Sequence, residues 1–385
     1  MNEPQPPVQP GQSEQPTQPG QPVQSGQPAQ PIQETPQGLP PQQSGQPGTA
    51  AQPMPEPSQP GRDWWFVAHR RFSVVGAALA IMVVFWLALN ILVSGALGQV
   101  FGGNVPDWAK LLASSGPLYL VAMPVSMAVF TRVPAIGTRQ YAMKSGEFIR
   151  LFIMCIPVMY LGNIIGMVLS AGVTDGQATN RLNDLVLDGN EWVNVLFIGL
   201  LAPICEEWLF RQQIISRLRR YGEKTAIMFS ALAFALFHMN LFQFFYAFGL
   251  GLIFGYVYTR TSRLRYSVVM HMLINLNGSV LAPLMLKQID PKILNGTLSE
   301  SELLTMTQGG ADIRGLSIAM LYGMVMLGLL IAGIVLLIVR RKSWEFYAAP
   351  EELPAGLKVR TAYGNPGVVI YLLLTVGMTI WMLLA

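Results

Sequence analysis

Two adjacent glutamates, Glu206 and Glu207, stand inside the apolar run VNVLFIGLLAPICEEWLFRQQIISRLRR. An ionisable side chain in a membrane-spanning helix costs about 2.5 to 3.5 kcal/mol at mid-bilayer on insertion scales, so such groups face a protein interior or a wet cavity and mark function by default. Helical spacing separates the pair. Glu207 and Arg211 stand at i and i+4 with the acid on the N-terminal side, the favoured sense for an intrahelical ion pair. Glu206 has Phe210 at that spacing instead, and neighbouring positions point about 100° apart around a helix. Glu206 is therefore the free carboxylate and Glu207 the paired one. The bland reading of EEWLFR is a helix end with solvated charges.

The histidines weigh against that reading. The chain has three: His69 flanks the first apolar segment, while His238 and His271 lie inside later ones. An isolated membrane histidine more often bonds a neighbouring helix than does chemistry. Here, however, FALFHMN sets Phe234 four residues before His238, and HMLIN sets Asn275 four residues after His271, so each helix presents an ordered pair on one face. Phe234 reads as a wall rather than a participant, and Asn275 also reads as a helix-packing amide. A carboxylate, two imidazoles and an amide are nonetheless suitable parts for activating water and binding a developing oxyanion.

The elements that must position them are membrane helices. Of 385 residues, 51% are hydrophobic and only 12% charged, far from the roughly quarter-charged balance of a soluble domain. Apolar stretches of the about 17 to 25 residues that span a bilayer occur near 73–98, 109–131, 148–172, 192–213, 225–241, 242–259, 266–286, 315–339 and 367–385. The fifth and sixth are short and nearly continuous, giving eight or nine spans. The fold class is all-α, a polytopic transmembrane helical bundle.

The charges test that segmentation. With a cytoplasmic N-terminus and one crossing per segment, 20 of the 25 basic residues fall in the inner regions, in groups at 62–71, 132–150, 211–224, 260–265 and 340–360. Lys110, Arg181, Lys287, Lys292 and Arg314 remain outside, among Asp175, Asp184, Asp188, Glu191, Asp290, Glu300, Glu302 and Asp312. This asymmetry is what the positive-inside rule requires. The net charge of +4 thus reflects topology, not a nucleic-acid partner. The expected location is the plasma membrane, with membrane lipid as the constant partner.

Residues 1–61 are a different material, Pro, Gln, Gly and Ser in loose GQP repeats with almost no aliphatic side chains. Such a segment cannot bury enough apolar area to offset the entropy of ordering. A disordered cytoplasmic tail is expected there, with the helical domain over 62–385. The first apolar run follows that long polar region, so it reads as an uncleaved anchor. Cys155 and Cys205 both fall in apolar segments and read as small buried residues rather than a disulfide or a nucleophile. In GLGLIFG, Gly251 and Gly255 form a small-x-x-x-small pair that lets helices approach closely.

At these residues the sequence resembles the CPBP intramembrane proteases, the family that includes type II CAAX prenyl endopeptidases and bacteriocin-processing or immunity proteins. EEWLFR matches its Glu-Glu-x-x-x-Arg motif, FALFH its Phe-x-x-x-His motif and HMLIN its His-x-x-x-Asn motif, in the family's order. The resemblance covers roughly 190–285, the expected catalytic core. It implies peptide-bond hydrolysis within the membrane, with Glu206 as the general base, His238 helping to hold the water, His271 and Asn275 stabilising the oxyanion, and Glu207 and Arg211 supporting the site. The implied substrate is a membrane-associated protein or peptide entering from the bilayer, or a prenylated CAAX-type protein.

A divalent metal such as zinc is the one cofactor the residues suggest, with Glu206, His238 and His271 as three protein ligands and water in the fourth place. No HExxH helix is present and Asn275 is a poor zinc ligand, so metal-free, glutamate-activated water is the preferred expectation. Measured from the nearest basic residues, the three groups lie at depths spread from about 9 to about 21 Å along ideal helices. Two readings from other classes stand beside the protease: a proton-coupled transporter using the same buried cluster, and an inactive scaffold. The transporter reading wants internal repeats with matching broken helices, and the chain has no convincing repeat.

Overall fold

The computed structural model describes residues 62–180, 186–187, 189–289, 291–294, 297, 299, 301, 304 and 313–384. The Pro/Gln-rich segment 1–61 lies outside the described residues, as do Arg181, Asp184, Asp188, Asp290, Glu300, Glu302 and Asp312. Within the described residues the regular structure is helical, without strands. In chain order the main helices are α1 (Arg62–Val100), α2 (Asp107–Phe130), α3 (Ser145–Val173), α4 (Glu191–Tyr221) and α5 (Glu223–Phe237). They continue as α6 (Leu241–Thr261), α7 (Leu264–Leu286), α8 (Ile313–Val339), α9 (Ala355–Tyr363) and α10 (Pro366–Leu384).

Eight of these helices, all but α5 and α9, are long and apolar enough to cross a membrane. The fifth expected span, 225–241, is instead the 15-residue α5. At about 1.5 Å per residue it reaches roughly 22 Å, short of the about 30 Å hydrocarbon core. Its end is fixed locally: Met239 takes a positive φ of 47°, and the Asn240 side chain accepts the Phe242 N–H to cap α6. The chain then folds back, and Glu223 at the start of α5 pairs with Arg260 near the end of α6.

The basic groups gather at one end of this bundle. Arg71 reaches Tyr221 and Glu351, and Arg360 lies over Trp65. The backbone of Ile136 bonds that of Ser216, Arg219 bonds Ser262 and the Thr259 carbonyl, and Glu147 holds both Arg150 and Arg340. At the other end Lys287 pairs with Glu191, joining α7 to α4. Arg211 is the exception among the residues counted with the basic groups, because it is fully buried at mid-helix.

Close approach of backbones sets the packing. Gly251 and Gly255 face α5, where an added Cβ would stand 3.0 Å from Ala231 and Ile227. A tighter contact comes from Gly162 and Gly166, which no motif marks. On α3, Gly162 and Gly166 meet the backbone of Tyr246 and Phe242 on α6, and a Cβ at Gly166 would lie 2.7 Å from the Phe242 carbonyl. Two backbones that touch in this way leave no room for a methyl group, so α3 and α6 are locked in register.

Several helices also widen locally, with π-helical segments at Leu118–Ala122, Asn194–Leu201, Trp208–Ile215 and Asn277–Leu281. Three of these segments run into a proline two residues on: Pro124, Pro203 and Pro283. Proline lacks an N–H and its ring clashes with the carbonyl four residues back. Widening the preceding turn relieves that clash at the cost of one wider hydrogen-bonded loop.

Candidate active site

The Glu206–Glu207 pair sits at the middle of α4, on a short α-helical turn between two π segments. Glu207 is wholly buried and both its oxygens are engaged. Arg211 Nε donates to Oε2 at 3.1 Å, which is the i,i+4 pair the spacing predicts. From α7, His271 Nδ1–H donates to Oε1 at 3.1 Å. Arg211 Nη1 in turn donates to Ser230 Oγ on α5 at 3.0 Å, and that hydroxyl donates to the Phe210 carbonyl at 2.7 Å. The remaining Nη2 has no hydrogen-bond partner among the described residues. The guanidinium lies over the Phe234 ring at 4.9 Å, an attraction that strengthens when both groups are desolvated. Glu207 is thus more than Arg211's partner, because it also orients His271.

Glu206 faces the other way. Its Oε2 lies 3.8 Å from His271 Nε2, beyond hydrogen-bonding distance, so both atoms remain available to a third group. His238 closes α5, and its Nδ1 meets the Phe234 carbonyl at 2.8 Å. A carbonyl only accepts, so Nδ1 carries the proton and a neutral His238 keeps its lone pair on Nε2. Phe234 stands edge-on to both imidazoles, with ring centroids 4.8 Å from His238 and 5.6 Å from His271. It is the expected wall, in contact with both imidazoles.

Asn275 has a less obvious anchor. Its Nδ2 donates to the Ile198 carbonyl on α4 at 3.0 Å. Contact of α7 with this part of α4 depends on Gly199, where any Cβ would run into the Leu276 side chain.

Glu206, His238, His271 and Asn275 all line one cavity of about 380 Å³. Its walls add residues that no local motif announced, among them Tyr119, Asn163 and Tyr246, whose hydroxyl accepts from Gln243 Nε2 at 2.8 Å. Asn180, beyond the end of α3, and Gln243, at the start of α6, also line it. The cavity therefore runs from mid-bundle toward the end opposite the basic cluster. Glu207 and Arg211 do not line it; they lie behind it.

A metal site does not assemble from these groups. Among the described residues no set of three His, Cys, Asp or Glu side chains is arranged to hold an ion. Two histidines and a carboxylate are near, each imidazole with Nδ1 committed to protein oxygen and Nε2 left over, but among the described residues they are not arranged as a three-ligand set.

Fold and cavity together define a polytopic helical membrane protein with a buried polar site between its helices. Residues 188–277 match the family described as type II CAAX prenyl endopeptidase Rce1-like, a segment that holds all four cavity residues. Over 127 residues the chain is 30% identical to the membrane-embedded CAAX protease MroQ of Staphylococcus aureus (strain USA300). That stretch is 31% of this chain and 51% of the relative, so the chain spans about half the length of the curated relative it matches. No solved structure matches it. The family match, the three motifs within it and the relative all support the CPBP/CAAX protease family for this segment of the chain.

Proposed function

We propose that this chain is an intramembrane endopeptidase that hydrolyses a peptide bond with water activated by Glu206. The observation that carries this reading is the shared cavity: one carboxylate without a hydrogen-bonded partner among the described residues, two oriented imidazoles and an anchored amide face the same space. Glu206 takes the proton from water, and the Nε2 lone pair of His238 accepts a hydrogen bond from that water. With its Nδ1–H held by Glu207, His271 in the doubly protonated form donates Nε2–H and, with the second N–H of Asn275, receives the negative charge that develops on the substrate carbonyl; Glu206 then passes its proton to the leaving amine as the C–N bond breaks. Glu207 and Arg211 hold His271 from behind.

The substrate is a membrane protein or peptide. The positive-inside rule puts the basic end of the bundle in the cytoplasm and with it the N-terminus, in a plasma membrane. On that orientation the cavity opens away from the cytoplasm. This favours a substrate entering laterally from the bilayer or from the outer side over a protein prenylated at the cytoplasmic face.

The test is cleavage of a membrane-embedded peptide library by the full chain in detergent, comparing wild type with Glu206→Gln, with and without chelator. Glu206→Gln keeps the shape and removes the base, so the rate should fall by about 10²- to 10⁴-fold, while chelator leaves the wild type unchanged. Undiminished cleavage by Glu206→Gln would remove Glu206 from the base role, and loss of activity with chelator would restore a metal.

A further inference from the structure

Asn275 is held by a carbonyl that an ordinary helix would have used itself. In the π-helical stretch of α4, the Ala202 N–H bonds the Phe197 carbonyl five residues back. The next carbonyl, that of Ile198, would in the same register receive the N–H of residue 203. Residue 203 is proline, which has no N–H to give. The vacancy is filled from another helix, by Asn275 Nδ2 at 3.0 Å across 77 positions of sequence. A part-buried carbonyl without a donor on its own helix is unfavourable, so the vacancy holds the amide in one orientation. No other side-chain hydrogen bond of Asn275 occurs among the described residues, and Ile198 and Asn275 both line the cavity.

We propose that Pro203 is a positioning residue for the site: by withholding an N–H it reserves the Ile198 carbonyl for Asn275 and turns the amide's second N–H toward the cavity. The catalytic consequence rests on the proteolytic reading above; the positioning itself does not. Pro203→Ala supplies the missing N–H, which competes for Ile198 and releases Asn275.

The experiment is a four-protein cycle in detergent: wild type, Pro203→Ala, Asn275→Ala and the double variant, each measured for Tm and for cleavage of the peptide library. Loss of one hydrogen bond shifts Tm by a few degrees. Asn275→Ala should therefore lower Tm by about 2–4 °C in the wild-type background and by less than half of that beside Pro203→Ala. In cleavage, losing one oxyanion donor costs about 10²- to 10³-fold in kcat. Pro203→Ala, which misplaces the donor rather than deleting it, should lower kcat by about 10- to 100-fold with KM within about twofold. The double variant should be no slower than Asn275→Ala alone. A purely structural role for Pro203 would move Tm and leave kcat/KM multiplicative across the cycle. Additive Tm shifts overturn the proposal. Coupled Tm shifts in a protein that cleaves nothing would keep the positioning and remove the protease. If Pro203→Ala does not fold, Pro203→Ser supplies the same N–H and takes its place in the cycle.

Discussion

Glu207 on α4 and His271 on α7 are joined by a 3.1 Å hydrogen bond across 64 positions of sequence, and Arg211 holds the second oxygen of the same carboxylate. The adjacent glutamates therefore divide the work by direction. One is consumed by a buried network running to Ser230, and the other is left facing a cavity.

That division predicts opposite stability effects from two neighbouring residues. Glu207→Ala leaves Arg211 buried without its counter-charge and should cost about 3–5 kcal/mol. Glu206→Gln removes a charge that has no hydrogen-bonded partner among the described residues and should be neutral or slightly stabilising, as removal of functional groups often is. Thermal unfolding of the two purified variants decides it; a larger loss at position 206 would reverse the assignment of paired and free carboxylates.

The α3–α6 contact gives a second expectation. A Cβ at Gly162 runs into the Tyr246 backbone, which has no flexible end to give way. Gly162→Ala should therefore destabilise by about 1–3 kcal/mol, the usual scale of overpacking. Gly172, on the same helix, has nothing within 4 Å of an added Cβ, and Gly172→Ala should gain roughly 0.5–1 kcal/mol from helix propensity. Equal Tm values for the two alanine variants would mean that the helices do not approach at Gly162.

At the basic end, outside the spanning helices, Glu352 accepts from Lys358 at 2.9 Å, and that bond holds its carboxyl below the usual carboxylate range. A depressed folded-state pKa contributes stability that is present above the unfolded pKa and fades as pH falls through the folded one. The pair is partly exposed, so solvent screens it and the effect is small. Wild type should be slightly more stable than Glu352→Gln near neutral pH, and the difference should vanish on titrating below the ordinary carboxylate range. A gap that widens toward acid would show that Lys358 is not its partner.

Much of this was legible in the chain itself. Hydropathy gave the helical spans apart from 225–241, because a bilayer admits only segments that satisfy their own backbone. The i,i+4 spacing gave the Glu207–Arg211 pair, and the three motifs gave Glu206, His238, His271 and Asn275 among the residues that line the cavity, because helical periodicity decides which side chains share a face. What lay beyond reach was whatever depends on a second helix. That Glu207 also grips His271, that Phe234 touches both imidazoles, and that Gly162 and Gly166 make a tighter contact than Gly251 and Gly255 are relations between segments distant in sequence. Asn275 shows the boundary most clearly. The sequence showed both Pro203 and Asn275, but a carbonyl left without a donor is a property of helix register, and only the packing of α7 against α4 decides which side chain satisfies it.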